Sequence, residues 1–577
     1  GADFSEQDRE NARLALRFEP NSALTADYAY DWSLVRDTQP FTTLTSFIGP
    51  TRLDGRYDVP GVPPIFAAFV GAAITYNDPL PYSDVRPETA TSVRPVLGGD
   101  SEISGHALNI NWELTPTFAL RSITGLRRIQ SLFRGDYLPT GEGELFVLGA
   151  SQGSGSIGGQ NITTDFENFS QEFQALGTTT LGGGELRYVT GLYYYTQEGS
   201  QAQESVFIFP RGEASAVIDD SSWAVFGEAT YTPGGLNERL HLTLGARYSE
   251  DERTATRINE ASLEYARLGG FTAANCANQA FIGQLPIPCV GDGVVQAAIY
   301  ANDFNNSSFS GSLTWELTPS INLYGRVAQG YKTGGTSERS ADPGLFSAGY
   351  QPEEILSYEI GAKGLYFANR LSLNVALFQM SLDHFQTSVQ TGNTPGDRDF
   401  VGLDNNEYQG LEADATFAVT ENLSLNASLG LLETEVGQAT VTFPLSGGGT
   451  RTDDLIGVFP YAPEQTITFG VNYNRPLGGD FELTAALNYA YQSGSETSLN
   501  VRENTQLDER GVLDGNVTLH RREIGEVSDL SIRLWGRNIL DEDYRIVDNR
   551  AFAFVGALSQ AEWGEPQTFG LTISVEH

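Results

Sequence analysis

The chain has 577 residues, 73 of them acidic against 35 basic, for a formal net charge of −38. A surface that neutralises nucleic-acid phosphates needs clustered Lys and Arg, so nucleic acid is excluded as a partner. No linker-like tract divides the sequence and no run of apolar residues is long enough for a membrane helix; 63 glycines, 11% aromatics and one Met describe a single large all-β architecture.

In chain order, period-two alternation begins at residues 9–18 and breaks at the short turn Pro20-Asn21-Ser22. Residues 38–104 then form a long connection that carries Tyr57, Phe66, Phe69, Tyr76 and Tyr82. These rings offer stacking faces to a ligand, and Tyr57 and Tyr76 are candidate contacts; packing of loop on loop is the commoner use of such residues. The next strand sets Leu108, Ile110, Trp112 and Leu114 against Asn109, Asn111 and Glu113, and Thr115-Pro116-Thr117 turns the chain tightly. Residues 134–167 make a second long connection, whose Asn161-Ile162-Thr163 is read as loop composition. Asp219 and Asp220 are expected in the loop before a strand, as solvated charge or divalent-ion contacts to lipopolysaccharide.

Further on, Leu240, Leu242, Leu244, Ala246 and Tyr248 alternate with His241, Thr243, Gly245 and Arg247. The long segment 252–306 holds both cysteines, Cys276 and Cys289. A disulfide closing a surface loop in an oxidising compartment is expected, worth about 3 kcal/mol, with two free thiols as the alternative. Metal ligation lacks accompanying His or further Cys, so no metal and no cofactor are expected. Past the turn Thr318-Pro319-Ser320, Tyr331 and Lys332 fall where a strand reaches a mouth of the barrel, and they are candidate ligand contacts; Lys332 would suit an anionic cargo, although a rim lysine is commonly just solvated. After Thr420-Glu421-Asn422 come Leu423, Leu425, Leu429 and Leu431, then Ile467, Phe469, Val471 and Tyr473, then Phe481, Leu483, Leu487, Tyr489 and Tyr491, each series facing away from polar neighbours.

Apolar stretches of about ten residues match the 9–11 that a tilted strand needs to cross hydrocarbon. Arg247 and Glu482 on the opposite faces would be costly in a closed core and are ordinary in a wet lumen. Short turns alternate with long connections, which is the asymmetry of bacterial outer-membrane barrels. The predicted fold is therefore an all-β transmembrane antiparallel barrel of about 19 strands, from residues 9–18 to 568–575, with Leu423, Leu425, Leu429, Ile467, Phe469, Val471, Leu483 and Leu487 on the lipid side. Nineteen is odd, and single-chain bacterial barrels close with even numbers. Edges at 9–18 and 568–575 should therefore be left open, about 15 to 20 Å apart for three strands at 4.8 Å spacing.

Residues 323–335, LYGRVAQGYKTGG, residues 352–386, PEEILSYEIGAKGLYFANRLSLNVALFQMSLDHFQ, and residues 408–417, YQGLEADATF, resemble the later barrel of TonB-dependent receptors. GRNILDEDYR at 536–545 and GEPQTFGLTISVEH at 564–577 resemble the last two strands of that family, with His577 where a terminal aromatic is usual. The resemblance spans essentially the whole chain. It implies a barrel domain over residues 1–577, with an N-terminal plug and about three of an expected 22 strands absent. It also implies an outer-membrane receptor that captures a scarce small molecule or metal chelate, commonly a ferric siderophore, and imports it to the periplasm through the TonB complex acting on the plug. Lipid and lipopolysaccharide would be its surroundings. The alternatives are a passive porin and a surface binding or scaffold barrel. Enzymatic function is not expected: the five histidines are scattered, and no His pair falls at metal-binding spacing.

Overall fold

The computed structural model describes residues 5–38, 42–48, 74–76, 85–88, 98–136, 145–147, 158–207, 209–261, 295–340, 342–391, 398–445, 449–501, 503–524, 527–553 and 556–576. Its main body is one 19-stranded sheet in which each strand pairs antiparallel with the next wall strand along the chain, from Gln7–Asn21 to Thr568–Glu576. The strand count and both end strands agree with the sequence reading.

The turns on one side are tight, and their chemistry repeats. Asn21 Oδ1 accepts from Ala23 N at 2.9 Å and Leu24 N at 3.1 Å. At the Thr-Pro-Thr, Thr-Pro-Ser and Thr-Glu-Asn turns the first threonine Oγ1 accepts a backbone N–H two residues on: Thr117 N to Thr115, Ser320 N to Thr318 and Asn422 N to Thr420, at 3.2–3.3 Å. Such side chains replace the ladder bonds lost where the chain reverses. The other side carries the long connections and is the outer side by the asymmetry of such barrels.

Register fixes the two faces. Leu423 pairs with Tyr473, Leu425 with Val471 and Leu429 with Ile467; Val471 pairs in turn with Leu487 and Arg475 with Leu483, so all eight predicted lipid-facing residues share one face. That face continues through Val517, Leu534 and Leu571. Phe469 and Leu487 are 45% and 49% exposed, as expected for side chains whose medium is hydrocarbon and not a protein core. The other face is polar: Arg17 pairs with Asp27 at 2.6 Å, Arg127 with Asp31 at 3.2 Å, and Tyr324 donates to Glu359 at 2.6 Å. Outward aromatics cluster toward the outer side, with Trp223 and Tyr248 rings 5.7 Å apart, and above them the outward face turns ionic, as in Arg36 with Asp8 and Glu10, both at 2.9 Å. This is the interfacial girdle and the edge of the apolar band.

Several wall strands are longer than the sequence reading. Gly158–Leu181, Gly184–Phe207, Phe209–Thr232 and Val295–Thr318 each have 24 residues and continue beyond the girdle. The expected loop at 134–167 is therefore strand through Asp136 and again from Gly158, and that at 252–306 is strand to Ala261 and from Val295. Asp219 and Asp220 lie within Phe209–Thr232 and not in a loop. Above the lipid the outward face meets water and the inward face meets the outer connections, where apolar Ile218 and charged Asp220 are both buried, so the apolar–polar alternation that reveals a strand below is lost there.

Among the described residues, Gln7–Asn21 pairs only with Leu24–Thr38, and Thr568–Glu576 only with Val527–Arg537. All of Gln7–Asn21 is exposed. The two ends are nevertheless linked on the outer side, where Thr42–Ile48 pairs with Gly556–Trp563 and that strand with Arg545–Ala553. Arg86 adds contacts of 3.4 Å to Asp541 and 3.0 Å to Asp543.

Candidate functional site: the outer mouth

Inward faces of the long strands meet the outer connections above the girdle. Asp220 and Arg253 are cross-strand partners, with Arg253 Nη1 2.7 Å from Asp220 Oδ2 and Nη2 3.8 Å from Asp251 Oδ1. Asp220, Asp251 and Arg257 are buried. One step away on the same face, Ile218, Ala255, Ala298 and Tyr300 form an apolar socket for Phe346, which is fully enclosed.

Phe346 arrives on the connection between Lys332 and Glu353, through the short helix Pro343–Ala348. Asp342 caps that helix, accepting from Gly344 N at 2.7 Å and Leu345 N at 3.2 Å, and Pro343 pre-sets its first turn. Gly349 ends it at φ +62°, and a Cβ there would stand 2.3 Å from the Tyr300 ring and 2.5 Å from the Gly335 carbonyl. Only glycine suits both the backbone and the approach. A bridge between Gly335 and Tyr350 closes the segment into a hairpin-like strap. Glu338 on the strap faces Asp220 and Arg257; burial, reinforced by the Asp220 charge, holds its carboxyl above the usual glutamate range. Burial likewise pushes the Tyr350 phenol up to about 12.

The connections that follow build a canopy. Hairpins Phe385–Gln390 with Arg398–Leu403 and Thr440–Pro444 with Thr450–Asp454 share a core of Val389, Leu403, Val436, Val441, Phe443 and Phe459, with Leu499 from the next connection. Phe459 stacks on Tyr408 at 4.5 Å and meets Phe385 edge-on at 4.9 Å. Ion pairs cross between connections, Arg398 with Glu503 at 3.0 Å and Arg545 with Asp508 at 2.8 Å, and Arg545 also holds Asp548 of its own connection at 2.6 Å. Asp453 takes Arg451 at 3.0 Å and the Asn500 amide at 2.6 Å. Strap and canopy touch where Ser337 Oγ donates to Arg398 O at 2.6 Å and the Tyr350 and Phe400 rings lie 5.0 Å apart.

A wall open to water within, roofed by interlocked outer connections, is the architecture that comparison with known proteins identifies. The family model described as TonB dependent receptor-like, beta-barrel matches residues 18–539. The chain belongs to the TonB-dependent receptor family. Solved structures similar to it include the ferric yersiniabactin uptake receptor FyuA from Yersinia pestis, with TM-score 0.69 at 14% identity, covering 99% of this chain and 71% of that one. The ferric-catecholate import receptor Fiu from E. coli K12 gives 0.63 at 16%, covering 99% and 75%, and the siderophore receptor PiuA from Acinetobacter baumannii 0.64 at 14%, covering 99% and 74%. Identities this low carry the fold. The family is one of outer-membrane transport receptors and not of enzymes, and it serves ligand uptake.

On this TonB-dependent receptor barrel, Tyr331 and Lys332 end the strand Ile321–Lys332 at the foot of the strap, as the sequence reading placed them. Tyr331 is half-buried and close to Asp251, whereas Lys332 is exposed and opposite Glu353 in the ladder. Gln386 clamps this point, its amide donating to Thr333 O at 3.0 Å and Gln351 O at 3.1 Å. Tyr76 ends a short strand, Ile74–Tyr76, paired with Leu145–Val147, and its side chain lies outside the described residues. Tyr57, Phe66, Phe69, Tyr82, Cys276, Cys289 and His577 also lie outside them. The sequence reading missed the Asp220–Arg253 pair and the Phe346 pin. A usable signal for the pair was opposite charge on inward parities of adjoining strands; for the pin, an apolar residue in a Pro-started, Gly-ended helical turn inside a polar connection.

Proposed function

We propose that this barrel is the wall and outer mouth of an active importer that captures a scarce metal chelate of the ferric-siderophore class and passes it to the periplasm with energy delivered by the TonB complex. The observation that carries this reading is the roofed mouth: three outer connections share an apolar core over a polar lumen, and an ion pair ties a fourth to them. Passive diffusion through a porin gains nothing from such a roof, whereas capture and timed release need one. The similar receptors for ferric yersiniabactin and ferric catecholate supply the cargo class. Tyr331 and Lys332, with Tyr57 and Tyr76 from the first long connection, are the proposed contacts. Cys276 and Cys289 are proposed to be bonded. Lipid and lipopolysaccharide surround the wall, and the net charge of −38 keeps nucleic acid away.

The two open edges belong to the same proposal. An unpaired strand in hydrocarbon leaves backbone groups that cost several kcal/mol each, so the barrel domain works closed, with three further strands and a plug of the same receptor. The test is uptake of radiolabelled iron chelates by iron-starved cells expressing the receptor, with and without TonB. Accumulation that needs both supports the reading; equal accumulation without TonB overturns it in favour of a porin. Tyr331→Ala with Lys332→Ala should weaken chelate binding several-fold, and unchanged affinity would remove that pair from the site.

A further inference from the structure

We propose that the connection between Lys332 and Glu353 is a detachable strap, pinned by Phe346, that leaves the outer mouth as a unit while the canopy stays folded, and that its seating is linked to a proton. The contrast in how the two parts are held supports this. The canopy shares a core of seven buried apolar side chains drawn from several connections. Among the strap's described residues, Phe346 is the one buried apolar side chain, in its socket of Ile218, Ala255, Ala298 and Tyr300. Its other attachments are the Tyr350–Phe400 ring contact, the Gln386 amide on Thr333 O and Gln351 O, and polar contacts such as Ser337 Oγ to Arg398 O and Arg398 N to Arg339 O, none of them part of a shared apolar core. Apolar burial is the durable part of such a seat, so removing one ring should free one segment.

The seat is also unbalanced in charge. Facing Glu338 and its neighbours are Asp220 from Phe209–Thr232, Asp251, Arg253 and Arg257 from Leu240–Ala261, Tyr195 from Gly184–Phe207, Tyr300 from Val295–Thr318, Tyr331 from Ile321–Lys332 and Tyr350 from the strap itself. Three carboxylates meet two guanidiniums, and burial raises the Glu338 pKa. A carboxyl whose pKa is higher when seated than when free favours seating below its ordinary pKa, and the preference is lost as pH rises through the seated value. A rise in pH through the seated value therefore loosens the strap. This holds whatever the cargo, and its test does not use transport.

Arg339 lies exposed on the strap, while Arg398 and Arg451 are canopy residues, so trypsin reports the two separately. With the whole receptor in outer-membrane vesicles, Phe346→Ala should speed cleavage after Arg339 about tenfold, leave cleavage after Arg398 and Arg451 unchanged, and Phe346→Leu should stay near the parent rate. Equal acceleration at all three sites, or none at Arg339, overturns the strap. Raising the pH from about 5 to about 8 should increase cleavage after Arg339 relative to Arg451, and Glu338→Gln should flatten that response. An unchanged pH response in Glu338→Gln overturns the proton linkage.

Discussion

Arg253 shows what a single side chain decides at this mouth. It bridges Asp220 and Asp251 from a position where all three are largely withdrawn from water. Removing one member of such a group leaves charge buried without compensation, at a cost of about 3 to 5 kcal/mol. Arg253→Met should therefore lower the unfolding midpoint of the detergent-solubilised receptor, and adding Asp220→Asn should recover part of the loss. A double variant no more stable than Arg253→Met would show that the pair does not act as one unit. Arg253→Lys should rescue poorly, because an ammonium is a point charge and cannot span two carboxylates as a planar fork does.

The wall strands show how far such a chain can be read before it is seen. Between the turns and the girdle one face meets lipid and the other water, and the alternation of Phe481, Leu483, Leu487 and Tyr489 with Glu482, Thr484 and Asn488 follows from that. Strand count, faces and tight turns were legible for this reason. Beyond the girdle no lipid sets an apolar face against a polar one, which is why Asp219 and Asp220 read as loop residues. The mouth was legible only at Tyr331 and Lys332, because contacts between distant connections, such as Arg398 with Glu503, leave no local period. The faces themselves carry a sharp expectation. Leu487→Arg, on the lipid side near mid-strand, should destabilise the barrel by about 2 to 4 kcal/mol, whereas Asn488→Arg, opposite Asp514 on the inner side, should be tolerated. Equal damage from both, measured by reversible denaturant unfolding in lipid, would mean that the register is shifted by one residue.

At the scale of the molecule, the open edges set the expectation. In the membrane-embedded receptor, amides of Gln7–Asn21 and Thr568–Glu576 should exchange with deuterium as slowly as those of Leu423–Glu435, which has a neighbour on each side. Fast exchange at either edge would remove the case for completing strands.

The small outer sheet has a consequence for how this chain folds. Ala557 pairs with Ile48 across about 500 residues of intervening chain, and closing a flexible loop of that length costs about 5 to 6 kcal/mol of entropy. No short three-stranded sheet repays that from an unfolded start. Once neighbouring strands have zipped and the wall has curled, however, the two segments hang from nearby strand ends and the remaining loop is short. The sheet should therefore be among the last contacts to form and the first to report a wall that has not curled. A pair of cysteines across Ser46 and Ser559, which face each other in the ladder, would then oxidise only after insertion is complete.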